Sequence, residues 1–476
     1  MKIARVIVDV PASVVNQTFD YYIPEKFRTI IQPGMRVVIP FGPRKIIGFV
    51  IDLIEQSSHD ELKSIIDVLD LSPVLTKELL EVGKWLAEET ISLYITTYQA
   101  MLPQVLKAKY EKEVVRITDE LLPEPLAKIF ANHESVPYDT ITKELASISL
   151  LKHEIENGNL KINYIVKSQA NKRYENIIVP TSLNNLKIAL KELLPQAKRQ
   201  KELISYFISN HKPIEQSVLY NELNINRSHI KPLLDKEIIK IEKREVYRDP
   251  YRKDIEKTEH LTLTDEQANA LSEIKRSIEE CEHKTFLLHG VTGSGKTEVY
   301  LQAIANVLER GQEAIVLVPE ISLTPQMVHR FKGRFGDRVA VLHSGLSVGE
   351  KYDEWRKIQR KEVQVVVGAR SAIFAPFENL GIIIIDEEHE TTYKQEESPR
   401  YHAKDVAIKR GELNACPVVL GSATPTLETY ARAKKNVYHL LTLHERTNKQ
   451  PLPPVEIIDM RDELHAGNRS MFSRIL

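Results

Sequence analysis

Cysteine is nearly absent from this chain, and so is any bias of charge. Only Cys281 and Cys416 occur in 476 residues. They stand too far apart for a Cys-x-x-Cys metal site, and such sparse usage fits a reducing compartment. Lysine and arginine number 65 against 66 aspartates and glutamates, so the chain is not basic as a whole and any surface for a polyanion must be local. No run approaches the roughly 18 apolar residues of a membrane span. The start, Met1-Lys2-Ile3-Ala4-Arg5-Val6-Ile7, lacks the apolar core of a secretion signal. These absences predict a cytoplasmic protein with no membrane partner.

At 476 residues the chain exceeds one ordinary core and predicts about three domains of roughly 150 residues each. Residues 1–105 open with short β-rich runs, Met35 to Pro40 and Ile46 to Ile51, punctuated by Pro33-Gly34 and Gly42-Pro43. They close with a helical pattern from Lys77 to Glu89. Residues 106–250 are more helical. Lys198 to Ser209, Ile214 to Leu223 and Asn226 to Lys236 read as three helices, the last kinked or shortened by Pro232. The alternating, charged run Ile238 to Tyr247 then reads as a β wing, so the region predicts a winged helix. A helical spacer ending in a hairpin is the plainer alternative.

Beyond a polar linker at Arg248 to Glu259 the texture changes. The apolar runs Phe286–Leu288, Ala314–Val318, Val363–Val367, Ile382–Ile385 and Val418–Leu420 alternate with helix-length amphipathic segments. Continuous apolar strands alternating with helices predict a parallel α/β sheet covered on both faces over residues 251–450.

The motifs fall at the ends of those strands, where open α/β sheets bind ligands. Gly290-Val291-Thr292-Gly293-Ser294-Gly295-Lys296-Thr297 follows a strand and precedes a helix. That is the context of a phosphate loop, in which backbone N–H groups and a helix N-terminus close on phosphate oxygens. Lys296 is expected on the β and γ phosphates of ATP and Thr297 on Mg2+. Asp386, after four isoleucines, offers Mg2+ a carboxylate, and Glu387 is set to orient and deprotonate the attacking water. Gln267, in Leu263-Thr264-Asp265-Glu266-Gln267, has an amide suited to the adenine edge; Thr264 and Gln267 equally form a helix capping box.

Between and after these motifs lie Val318 to Gln326, His343 to Ser347 and Val367 to Ser371 with Arg370. Their hydroxyls, backbone amides and cation suit phosphate contacts that carry no sequence information. Tyr393, Lys394, Arg400 and Tyr401 follow His389 and interleave rings with cations, a pattern for stacking on single-stranded DNA. Ser422 and Thr424 in Gly421-Ser422-Ala423-Thr424 are expected to hydrogen-bond the acidic motif and relay the nucleotide state.

Together GVTGSGKTE, VPEISLTPQ, HSGLS, GARSAIFAPF, DEEH, YKQEESPRYHAKDVA and GSATPTLE resemble superfamily 2 helicases, and most closely the primosomal replication-restart helicases of bacteria. The resemblance covers the whole chain. Thr18 to Tyr22, Val38 to Gly42 and Glu61 to Lys63 look like that family's domain for the 3′ end of a nascent strand, which implies a terminal-nucleotide pocket of Phe19, Asp20, Gly42 and Lys63. No acidic residue occurs from Lys26 to Ile51, while Arg28, Arg36, Arg44 and Lys45 do, as a DNA-facing surface would have it.

The resemblance implies a RecA-like lobe and ATP-driven 3′ to 5′ unwinding at stalled forks. It further implies loading of the replicative helicase through primosome proteins and contact with single-stranded DNA-binding protein. It also implies a zinc insertion and a second lobe, neither found here. A second lobe is expected to begin near Pro453-Pro454, and the helical-looking end Phe472 to Leu476 reads as a truncation within residues 451–476. Two other readings stay open: a fork-binding module without its own ATPase, and another superfamily 2 translocase.

Overall fold

A computed structural model describes residues 3–475, apart from Pro43, Leu71, 104–105, 107–109, 119–121, Asn132, 146–147, 167–173, 194–195, 211–212, 222–224, 246–255 and 450–454. The chain divides into two compact units, one chiefly residues 1–256 and the other chiefly 257–476. Much of the expected linker and the expected onset at Pro453-Pro454 lie outside the described residues. No helix among the described residues is long and apolar enough to cross a membrane.

The first unit begins with a five-stranded antiparallel sheet. Its strands are β1 (Ile3–Val8), β2 (Thr18–Tyr22), β3 (Arg36–Phe41), β4 (Arg44–Ile54) and β5 (Asp67–Val68), in the order β2-β1-β4-β3-β5. Alternation puts Val37 and Ile39 of β3 inside with Val6, Val50, Phe27 and Met35. That core continues past residue 105. Val114, Val136 and Leu160, on β6 (Tyr110–Arg116), β7 (Ser135–Pro137) and β8 (Leu160–Val166), belong to the same cluster.

A separate core around Ile178, Phe207, Ile230 and Ile239 holds the segment read as a winged helix. The helices Lys198–Asn210 and Arg227–Asp235 are present, the latter running through Pro232. The middle helix starts later than expected. Ile214, β-branched and preceded by Pro213, pairs with Ile178, so Ile214–Glu215 is a strand (β10) and the helix is Gln216–Asn221. Among the described residues the wing is no closed hairpin. Its strand β11 (Ile239–Glu245) pairs along its length with β9 (Tyr174–Pro180).

The second unit carries a seven-stranded sheet. In chain order the strands are β12 (Thr285–Gly290), β13 (Glu313–Leu317), β14 (Val339–Leu342), β15 (Val365–Gly368), β16 (Leu380–Ile385), β17 (Val418–Ser422) and β18 (His439–Leu443); in space they run β14-β15-β13-β16-β17-β12-β18. β12 pairs in parallel with β17 and β18, and β16 in parallel with β13 and β17. β13 and β16 are buried along their whole length, as continuous apolar strands in a sheet covered on both faces must be. The end of the chain corrects the sequence reading. Residues 471–475 form bends and a turn, because Gly467, at φ 88°, closes the helix Met460–His465, and Asn468 Nδ2 then donates to the Phe472 carbonyl at 2.8 Å.

Candidate nucleotide and nucleic-acid sites

The parallel sheet brings the separated motifs to one edge. Gly290 ends β12 and the next helix starts at Lys296, with Gly293 and Gly295 at φ 83° and 80° between them. These left-handed conformations favour glycine. At Gly295 space adds a second constraint, since a Cβ there would lie 2.3 Å from Gln267 Nε2. Lys296 is buried and its ammonium donates to the Gly290 carbonyl at 2.9 Å, so the loop is held closed on its own lysine. Ser294 is buried, and its Oγ has no hydrogen-bond partner among the described residues. A buried hydroxyl without a partner is costly unless a ligand satisfies it.

Asp386 leaves the carboxyl end of β16. Tyr300, buried on the helix after the loop, donates its hydroxyl to Asp386 Oδ1 at 3.1 Å, and Tyr393 donates to the Asp386 carbonyl at 2.6 Å. Burial, and then the neighbouring Glu387 carboxylate, push the Asp386 carboxyl up to about 6. A carboxylate so disfavoured is suited to a cation. Glu387 adopts φ 47°, an uncommon backbone for a side chain of this kind and a form of strain found at functional sites. Its Oε2 lies 3.6 Å from His389 Nδ1. Thr297 and Asp386 supply hard oxygen donors beside a loop shaped for phosphates, a donor set that fits Mg2+ shared with a nucleotide.

The acidic motif meets β17 at Ser422, as expected, but not at Thr424. His389 Nδ1 meets Ser422 Oγ at 2.8 Å, whereas Thr424 contributes only its backbone N–H, to that same Ser422 oxygen at 3.0 Å. The stronger tie was missed in the sequence. Glu388, 1% exposed, accepts from Thr426 N at 2.8 Å and Thr429 Oγ1 at 3.0 Å, and Lys404 stands 3.5 Å away. No spacing rule links Lys404 to Glu388. Gly421 permits the close packing here, since a Cβ on it would fall 1.6 Å from the Tyr300 hydroxyl oxygen.

Gln267 packs against the phosphate loop. Its Oε1 accepts from Thr264 N at 2.9 Å and its Nε2 donates to the Ser294 carbonyl at 2.7 Å, with the residue 3% exposed. The capping box is present, and the same amide buttresses the phosphate loop.

A cavity lined by Val318, Glu320, Arg370, Ser371, Thr392 and Lys394, among others, joins three of the expected DNA-track segments. Arg370 donates to the Lys394 carbonyl at 2.6 Å, while Lys394 and Arg400 are exposed. The rings correct the stacking expectation. Tyr393 and Tyr401 are 1% and 3% exposed, Tyr401 edge-on to Phe374, so neither offers a face to a base. Thr324 and Ser347 cap the helices that follow them.

In the first unit, Phe19, Asp20, Gly42 and Lys63 line one cavity together with Arg5, Phe41 and His59. Phe19 packs edge-to-face on Phe41, with ring centres 5.4 Å apart. Asp20 accepts from Ser57 Oγ at 2.6 Å and stands 3.6 Å from Arg5 Nε. Of the expected basic face, Lys45 is exposed, but Arg36 is buried in a bidentate pair with Asp70 and faces no DNA. The Arg44 side chain lies outside what is described.

A parallel sheet with a phosphate loop on one strand and an Asp-Glu-Glu-His turn on another defines a superfamily 2 helicase lobe. Residues 264–433 match the DEAD/DEAH box helicase model, and residues 5–103 match the 3′ DNA-binding domain (3′BD) model. Over nearly its whole length the chain is similar to replication restart proteins PriA. It is 53% identical to the replication restart protein PriA of Bacillus subtilis over 99% of this chain and 59% of that one. It is 35% identical to that of Synechocystis over 99% of this chain and 58% of that one. The chain thus spans about three-fifths of these relatives' length. Among solved structures, RecG bound to a three-way DNA junction aligns over 41% of this chain and 24% of its own, at 26% identity and TM-score 0.30.

Proposed function

We propose that this chain is the fork-recognising and ATP-binding part of a DNA helicase that restarts replication at abandoned forks. The observation that carries the reading is the presence, in one chain, of both sites: the cavity of Phe19, Asp20, Gly42 and Lys63, and the phosphate loop with Asp386 and Glu387. The first takes the terminal nucleotide of a nascent strand at its free 3′ end. In the second, Lys296 and the loop amides hold the phosphates of ATP, Thr297 and Asp386 share Mg2+, and Glu387 takes the proton of the attacking water. Gln267 keeps the loop in shape for the nucleotide and retains an amide hydrogen for the base. Arg370, Lys394 and Arg400 neutralise phosphates of a single strand, and the His389–Ser422 contact passes the nucleotide state to that track. Unwinding runs 3′ to 5′, and helicase-loading proteins and single-stranded DNA-binding protein act as partners of the complete protein.

The test is DNA-stimulated ATP hydrolysis and fork unwinding by the complete protein. Lys296→Ala and Glu387→Gln should each lower stimulated turnover by at least about 100-fold and abolish unwinding. Unwinding that survives either substitution defeats the proposal.

A further inference from the structure

The segment after β18 is fastened to the nucleotide loop along both of its flanks. On one side Val291 N donates to the Leu443 carbonyl at 3.2 Å, and Thr447 N and Oγ1 both donate to the Gly293 carbonyl, at 3.1 and 3.2 Å. On the other, His444 N donates to Glu266 Oε2 at 2.7 Å, one residue before the loop's buttress Gln267. Arg446 rides on this stitched segment. A Cβ built on Gly293 would lie 4.0 Å from Arg446 Cγ, so the arginine stem runs beside the left-handed turn of the loop. Its Nε is buried without a hydrogen-bond partner among the described residues.

The strand order decides which part of a nucleotide this arginine meets. Asp386 ends β16, which lies beyond β17 on one side of β12, while β18 flanks β12 on the other. Phosphates directed from the loop toward Asp386 leave the nucleoside directed toward β18. A guanidinium is planar, permanently charged and weakly hydrated, and it stacks on aromatic bases where an ammonium does not. We propose that Arg446 is a nucleotide-binding residue that covers the purine base of ATP with its guanidinium plane. The inference rests on the ATP-site reading above.

The experiment is calorimetric titration of this chain with Mg-ATP and, separately, with inorganic tripolyphosphate. Arg446→Ala and Arg446→Lys should each weaken ATP binding about ten-fold and leave tripolyphosphate unchanged, whereas Lys296→Ala weakens both. Equal losses for ATP and tripolyphosphate in Arg446→Ala would place the guanidinium on the phosphates and overturn the proposal. So would full ATP affinity in Arg446→Ala while Lys296→Ala still weakens it; indifference of both variants would instead sink the ATP-site reading. Arg446→Lys keeps the aliphatic stem beside Gly293 and should melt, without nucleotide, at the native temperature. An affinity loss in Arg446→Lys that appears only with a matching loss of thermal stability also overturns the assignment.

Discussion

Two carboxylates set into the protein, Asp70 in the first unit and Asp386 in the second, have been given opposite surroundings. Burial works against the charge of both. At Asp70 the Arg36 guanidinium overrides it, donating through Nε at 2.9 Å and Nη2 at 2.6 Å while the Arg36 amide adds a third bond, and the carboxyl is held below its ordinary range. At Asp386 the burial stands, Glu387 aggravates it, and Lys296 and the Tyr300 hydroxyl offset only part, so the carboxyl rises to about 6. The first group is satisfied by the protein and serves architecture. The second is left poised for something the protein does not itself contain. Glu388, two residues on, shows that the lobe can also satisfy an acid when its role is structural.

The comparison is tested most severely by removing each acid in turn. Asp70→Ala leaves the buried Arg36 without its carboxylate and should cost about 3 kcal/mol, read as a fall in the urea midpoint followed by Trp85 fluorescence. Asp386→Asn should leave the melting temperature of the nucleotide-free chain unchanged or raise it. The pH dependence has a definite sign. Because the folded value of Asp70 lies below the unfolded one of about 3.9, its contribution is fully present above that value and is lost as pH falls through the folded value. Equal destabilisation by the two substitutions would erase the distinction.

Asp20 lies between these extremes, bonded to Ser57 and loosely to Arg5 at the wall of an open cavity. If it is a binding group rather than a brace, Asp20→Ala should reduce the preference for forks with a free 3′-hydroxyl over 3′-phosphate-blocked ones about ten-fold. ATP affinity should not change. Competition binding with the two forks decides the matter, and an unaltered preference with a lowered melting temperature would make Asp20 a second Asp70.

How far the residues announced all this depended on the range of the interaction. The phosphate loop and the apolar strands are local patterns: Phe286–Leu288 and Ile382–Ile385 lie in parallel strands, as does Ala314–Val318 up to Leu317. Long-range pairings left no such trace. Arg36 reads as one more cation of a basic stretch until Asp70, 34 residues on, is brought against it. Tyr300 and Lys404 look like ordinary helix residues until the turn after β16 delivers Asp386 and Glu388 to them. Of the 3′-end cavity residues, Phe19 and Asp20 share β2 while Gly42 and Lys63 lie on two other loops, and only a family resemblance, not their spacing, grouped them. Rings among cations are the hardest case, since alternation of Tyr393, Lys394, Arg400 and Tyr401 is the same whether the rings face solvent or core.

Tyr393 gives the smallest effect and the sharpest contrast between those two readings. Its ring is buried and its hydroxyl ties the segment lining the Arg370 cavity to the backbone of Asp386 at 2.6 Å. Had the ring stacked on a base, Tyr393→Phe would be silent, because phenylalanine offers the same π face. As a buried link, the hydroxyl contributes about 1 kcal/mol, and its loss leaves the Asp386 carbonyl unsatisfied and frees the cavity wall from the end of β16. Stimulation of ATP hydrolysis by single-stranded DNA in the complete protein should then fall roughly five-fold, with DNA affinity unchanged. Full stimulation in Tyr393→Phe, together with its loss in Tyr393→Ala, would mean that the ring leaves the core to meet DNA, and the division between satisfied and poised groups would have to be redrawn around it.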